Sequence, residues 1–202
     1  MTKIKLCGMM TAADAAAASE LGADYIGFVL TERFRRAVSL AELCELREAV
    51  CFPKAKAVGV FVDEDIDTVL RFSPLIDVIQ LHGGEDKDYI RRLRGLTDKT
   101  IIKAFRITSS EDAEAAEASP ADLVLLDSGT GTGRTFDWAL IRSIARPYIL
   151  AGGLNAENVG EAIGQLRPFA VDASSGLETD GYKDKTKMAA FVRAVRAKGQ
   201  IV

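Results

Sequence analysis

The chain has 202 residues, 48% of them hydrophobic, without a compositional break, which suffices for one sizeable core and argues for a single domain spanning residues 1–202. A net charge of −3 argues against nucleic acid or an anionic membrane as partner, so any bound phosphate must be held by local groups. Three cysteines (Cys7, Cys44 and Cys51), a single histidine and no metal-ligand spacing argue against a disulfide framework or a zinc centre; with no membrane-length apolar run and no signal peptide, a cytoplasmic protein is expected.

In chain order, the first apolar run covers residues 4–7 and leads into AADAAAASEL, a helix-favouring stretch that starts at Thr11 with Asp14 and stops at Gly22. A second strand at 25–30 precedes a helix signalled by Ser39 with Glu42. Strands follow at 57–61, 78–81 and 101–105, then a helix signalled by Ser109 with Asp112, and then strands at 123–126, 148–150 and 169–171. The eight runs are continuously apolar rather than alternating, as parallel strands covered on both faces require. They pair off at spacings of about 21 to 22 residues, each pair a short βαβ unit. Four such units with right-handed crossovers close into a compact (β/α)8 TIM barrel, an α/β fold with helices alternating throughout. The runner-up, a doubly wound sheet, lacks GxGxxG after its first strand.

Two segments, AGGLNAENV (151–159) and VDASSGLE (171–178), place Gly152 and Gly153, then Ser174 and Ser175, between an apolar run and an expected helix. Together they read as a phosphate cradle, because backbone N–H groups in such loops point at an anion and the last two loops of this barrel commonly hold phosphate. Residues at the other strand ends converge on the same rim. Cys7 is a candidate base if local donors or cations support its thiolate. Asp127 sits after LVLL, where desolvation favours an acid, or else it caps the following turn. Arg36 is suited to a substrate carboxylate, whereas Arg33 and Arg35 read as a solvated basic turn. His82 reads as orienting a loop or a neighbour, and Cys44 and Cys51 lie in or just after a helix, away from the rim.

With these residues placed, the chain resembles the phosphoribosylanthranilate isomerase family over nearly its full length, through KLCGM (5–9), GFVL (27–30), VGVFV (58–62), QLHG (80–83), TGTGRTFDW (130–138), LAGGLNAENV (150–159) and VDASSGLE (171–178). The resemblance implies an enzyme of tryptophan biosynthesis that converts N-(5-phosphoribosyl)anthranilate to 1-(2-carboxyphenylamino)-1-deoxyribulose 5-phosphate by an Amadori rearrangement, with no metal or organic cofactor. It implies Cys7 as general base and Asp127 as general acid, Arg36 on the anthranilate carboxylate, phosphate contacts around Gly152, Gly153, Ser174 and Ser175, and Asp172 and His82 in the same mouth. The expected partner is thus a small phosphoribosyl compound, and the protein is expected as a monomer or homodimer. Two alternatives stay open: the histidine-pathway aminoaldose isomerase on the same barrel, and a phosphosugar-binding protein without catalysis. Cys7 speaks against the first, and Cys7 together with Asp127 against the second.

Overall fold

The computed structural model describes residues 1–49, 55–127 and 137–198. Eight parallel strands close on themselves in sequential order: β1 (Lys3–Cys7), β2 (Tyr25–Val29), β3 (Lys56–Phe61), β4 (Val78–Leu81), β5 (Thr100–Arg106), β6 (Leu123–Asp127), β7 (Tyr148–Leu150) and β8 (Ala170–Ala173), with β8 pairing back onto β1. The helices are α1 (Ala12–Glu20), α2 (Leu40–Ala49), α3 (Ile66–Phe72), α4 (Lys87–Arg94), α5 (Ser110–Glu117), α6 (Val159–Leu166) and α7 (Lys185–Lys198). The expected (β/α)8 barrel is therefore the fold. No helix among the described residues is long and apolar enough to cross a membrane.

Successive strand residues point to opposite faces, so the barrel sorts its side chains into two cores. Tyr25, Val58, Val78, Ile102, Leu125, Ile149 and Ala170 fill the interior of the barrel. Ile26, Phe28, Ala57, Phe61, Ile79, Leu81, Val124, Leu126 and Leu150 face outward into the larger core beneath the helices. That double covering explains the unbroken apolar runs.

The capping signals hold. Thr11 Oγ1 accepts from Asp14 N at 3.1 Å, Glu42 Oε2 accepts from Ser39 N at 2.6 Å, and Ser109 and Asp112 form a reciprocal capping box. Gly22 follows the end of α1 with φ +82°, a conformation that glycine adopts without strain.

Three features differ from expectation. First, the strict alternation with helices fails between β6 and β7, where the described helical structure is a single 3-10 turn, Trp138–Ile141. Its bonds run from i to i+3, and Arg146 ties the following chain to the carbonyls of Ala116 in the last turn of α5 and of Ser119 just beyond it. Second, VDASSGLE does not lead into a helix: its own residues Ser175–Leu177 form a 3-10 turn. The two-stranded hairpin β9 (Glu178–Thr179) and β10 (Tyr182–Lys183) comes next and separates the turn from α7. The turn residues Asp180 and Gly181 have φ of 52° and 83°, the left-handed pair that a tight hairpin needs. Third, strands run past their apolar cores: β8 reaches Ala173 and β6 reaches Asp127, because a polar side chain facing the mouth does not stop the backbone ladder (Leu6 with Ala173, Arg106 with Asp127). Cys51 and most of the TGTGRTFDW stretch lie outside the described residues; Cys44 is exposed on α2, away from the rim.

On the outward face, the loops after β3 and β4 are pinned by a buried ion pair. Lys103 Nζ lies 2.8 Å from Glu85 Oε2, with the two side chains 6% and 2% exposed. Glu85 also accepts from Asp63 N and Gly83 N, both at 2.9 Å. Replacing Lys103 by Met leaves that carboxylate buried without its counter-charge, and urea unfolding should show a loss of about 3–5 kcal/mol. A loss below about 1 kcal/mol would mean that the pair does not hold these loops.

Candidate active site

The interior parity continues up the strands. Lys5 pairs in register with Tyr25 on one side and Asp172 on the other, and Cys7 pairs with Gly27, so Lys5, Cys7 and Asp172 share the inner face. The same counting places Gln80, His82 and Asp127 inward. Cys7, Asp172, Gln80, His82 and Asp127 line a cavity of about 390 Å3 at the C-terminal end of the barrel, and Lys5 lies buried beneath it. Its lining includes every residue expected in the catalytic or binding site: Cys7, Arg36, His82, Asp127, Gly152, Gly153, Asp172, Ser174 and Ser175. Arg35 and Phe34 also reach it.

Cys7 is buried at the end of β1, 7% exposed. Room for its sulfur comes from β2, since a Cβ at Gly27 would lie 2.6 Å from Cys7 Sγ. The next residue, Gly8, turns the chain with φ +77°, and a side chain there would meet Arg36 Cδ at 2.8 Å and Ser174 Oγ at 3.1 Å. This close approach brings the arginine and the serine over the cysteine. Ser174 Oγ donates to Cys7 O at 3.1 Å.

Two lysines that the sequence reading did not select face the same sulfur. Lys5 is fully buried with Asp172 Oδ1 at 3.0 Å. Burial works to push the Lys5 ammonium down, but attraction to the Asp172 carboxylate and then to Cys7, with Lys5 donating a hydrogen bond toward each, reverses this and holds the lysine above its ordinary 10.5. Lys183, from β10, donates to Ser174 O at 3.0 Å and to Glu178 Oε1 at 2.7 Å. There burial prevails over the attraction of Glu178 and Cys7, and the ammonium falls below the ordinary lysine value. Asp172 lines the mouth as expected, but it is committed to Lys5.

Glu178 gathers the basic groups. Its Oε1 is 2.8 Å from Arg36 Nε and its Oε2 is 3.2 Å from Arg35 Nη2. Burial opposes its charge, yet Lys183 and Arg36 hold the carboxyl below the ordinary glutamate value. Arg35 is also bound to Gly181 O at 2.6 Å and is 55% exposed, against 30% for Arg36. An Nε contact leaves the Nη1–Nη2 edge of Arg36 geometrically available to a second carboxylate.

Across the cavity, His82 Nε2 lies 3.5 Å from Asp127 Oδ2 and Gln80 Nε2 lies 3.0 Å from His82 Nδ1. The two late loops pack on each other. Gly152 and Gly153 have φ of 89° and 66°, and a Cβ on Gly176 would collide with Leu154 O. Asn158 Nδ2 donates to Gly153 O at 3.0 Å, which braces the glycine turn from the start of α6.

Signals for the missed residues were present. A lysine two positions before Cys7 in KIKLC has inward parity, and the Asp180-Gly181 dipeptide marks the hairpin that delivers Glu178 and Lys183.

A family model described as N-(5'phosphoribosyl)anthranilate (PRA) isomerase matches residues 4–194. Among relatives named N-(5'-phosphoribosyl)anthranilate isomerase, the one from Chromohalobacter salexigens is 41% identical over 203 residues, covering 96% of this chain and 94% of its own length. The one from Clostridium acetobutylicum is 39% identical over 207 residues, covering 97% and 98%. The crystal structure of the isomerase from Thermotoga maritima superposes with a TM-score of 0.88 at 35% identity, covering 98% of this chain and 100% of that one. A phosphoribosyl anthranilate isomerase in complex with reduced 1-(o-carboxyphenylamino)-1-deoxyribulose 5-phosphate superposes with a TM-score of 0.87 at 34% identity, over the same coverage. With both the sequence and the closed barrel matched over almost their whole length, the chain belongs to the N-(5'-phosphoribosyl)anthranilate isomerase family.

Proposed function

We propose that this chain rearranges N-(5-phosphoribosyl)anthranilate to 1-(2-carboxyphenylamino)-1-deoxyribulose 5-phosphate with Asp127 as general acid and Cys7 as general base, needing no cofactor. The observation that carries the assignment is the convergence of Cys7, Asp127, Arg36 and the two late loops on one cavity of about 390 Å3, a size suited to one small molecule. A relative was crystallised with the reduced product analogue, which favours the same class of ligand here.

The chemistry follows from the placement. The Asp127 carboxyl group gives its proton to the ribose ring oxygen, the C1′–O bond breaks toward that oxygen, and the nitrogen lone pair forms a C1′ iminium. The iminium acidifies the C2′ hydrogen, which Cys7 removes as a thiolate. The C–H electron pair becomes the C1′–C2′ double bond of an enolamine and neutralises the nitrogen. Ketone formation adds a proton at C1′ and removes one from the 2′ hydroxyl, so the reaction is an isomerisation with no external oxidant. Lys5 and Lys183 supply the positive surroundings that a thiolate base needs next to a bound phosphate. Gly152, Gly153, Ser174 and Ser175 hold the phosphate, and Arg36 holds the anthranilate carboxylate, so the reacting carbons are suspended between acid and base. Asp172 serves as the counter-ion of Lys5 in this reading.

Cys7→Ser and Asp127→Asn should each lower kcat at least about a hundredfold while leaving affinity for a product analogue largely intact. Near-normal turnover in either variant, read by the loss of substrate fluorescence, would overturn that role. Arg36→Ala should raise KM with a smaller effect on kcat, whereas Arg35→Ala, which removes an exposed arm bound to Gly181 O, should change KM little. The reverse pattern would move the carboxylate site to Arg35. Because the Glu178 carboxyl is held below 4.5, its grip on Arg36 is complete above that pH and is lost as pH falls through the lowered value. KM should therefore stay flat as pH falls to the ordinary glutamate value of 4.5 and rise only below it, and Glu178→Gln should raise KM already at neutral pH.

A further inference from the structure

The chain's single histidine stands between a buried amide and the candidate acid, one at each ring nitrogen. Gln80 on β4 is 1% exposed and projects inward. His82, two residues further on, has the same parity, and its backbone is fixed by donation from His82 N to Phe61 O at 2.7 Å. Gln80 Nε2 is 3.0 Å from one ring nitrogen, Nδ1, and Asp127 Oδ2 is 3.5 Å from the other, Nε2.

We propose that Gln80 fixes the tautomer of His82, so that the imidazole carries its proton on Nε2 and donates it to Asp127, making His82 a positioning residue for the acid. The logic is one of donors and acceptors. An amide nitrogen only donates, so Nδ1 must accept, and a neutral ring then keeps its hydrogen on Nε2, facing the carboxylate. The opposite amide orientation would place Oε1 on Nδ1 and turn the Nε2 lone pair toward Asp127. It would also bury the two N–H donors where Gln80 Oε1 now stands, a place with no hydrogen-bond partner among the described residues. Orphaned donors of that kind are costly. Gln80 therefore has a reason to be a glutamine in an otherwise apolar strand, VIQL.

The consequence for the reaction rests on the reading of Asp127 as the acid. Before proton transfer the imidazole N–H faces a neutral carboxyl group; afterwards it faces a carboxylate, and a hydrogen bond to an ion is roughly twice as strong as one between neutral groups. The bond thus strengthens as the ring opens, which lowers the barrier rather than only tightening binding. His82 transfers no proton itself, and the 3.5 Å spacing shortens as charge develops on Asp127.

Because there is only one histidine, a long-range proton–nitrogen NMR spectrum of the 15N-labelled full chain reads its ring without assignment. At pH 8, above the ordinary histidine range, the spectrum should show the Nε2–H tautomer with Nδ1 unprotonated. Gln80→Leu should shift the ring toward a mixture of tautomers, and Asp127→Asn should move the Nε2 signal. In parallel, His82→Leu should lower kcat about tenfold with KM little changed, while His82→Gln, whose amide retains a donor, should recover part of that loss. A ring protonated on Nδ1, or one indifferent to Gln80→Leu and Asp127→Asn, would overturn the proposal, as would equal kcat in His82→Leu and the unaltered protein. If instead the unaltered protein fails to rearrange phosphoribosylanthranilate, the reading of the activity fails, and the spectrum still decides the tautomer on its own.

Discussion

Lys5 is fully buried inside the barrel, and its counter-charge, Asp172, comes from the opposite end of the chain. Their pairing crosses the seam where β8 closes onto β1, so the ion pair and the closure of the barrel depend on each other. A lysine in that interior without its carboxylate would leave an uncompensated charge in a medium of low dielectric, which is far more costly than the pair. The pair also sets the chemistry above it. Lys5 lies one inward position below Cys7 on the same strand, so the force that seals the barrel puts a positive charge under the sulfur.

The opposite side of the sulfur is built by a device outside the barrel. The hairpin after β8 brings Glu178 and Lys183 over the mouth, and Glu178 collects Arg35, Arg36 and Lys183 into one cluster. Glu178 thereby holds Arg36 on its Nε side and leaves the Nη1–Nη2 edge for the carboxylate of the proposed substrate. Gly8, Gly27 and Gly176 make the arrangement possible, since a Cβ at these sites would run into Arg36, the cysteine sulfur and Leu154 O respectively. The site is therefore assembled by backbones that approach one another where side chains are absent, and charged groups fill what remains.

The sequence was most readable where one rule operated alone. Parallel strands covered on both faces produce unbroken apolar runs, so all eight were visible, and the strand ends then pointed to Cys7, His82, Asp127 and the two late loops. It was least readable where rules competed. Lys5 is a polar residue inside an apolar strand, and only inward parity combined with barrel closure explains it; parity cannot be assigned until the fold is known. The hairpin was hidden because Glu178 ended a motif already read as a helix start, although Asp180-Gly181 marked a tight turn. The chain after the 3-10 turn between β6 and β7 is tied by Arg146 to carbonyls at residues 116–121, a long-range contact that local pattern does not encode.

The central claim is geometric: one substrate lies with its ring oxygen toward Asp127 and its C2′ toward Cys7. A crystal structure of this chain with the reduced product analogue bound tests it most directly. The account predicts the phosphate among Gly152, Gly153, Ser174 and Ser175, the anthranilate carboxylate on Arg36, and C2′ against the Cys7 sulfur. A ligand bound in the reverse direction, or one whose C2′ is separated from that sulfur by another side chain, would contradict it.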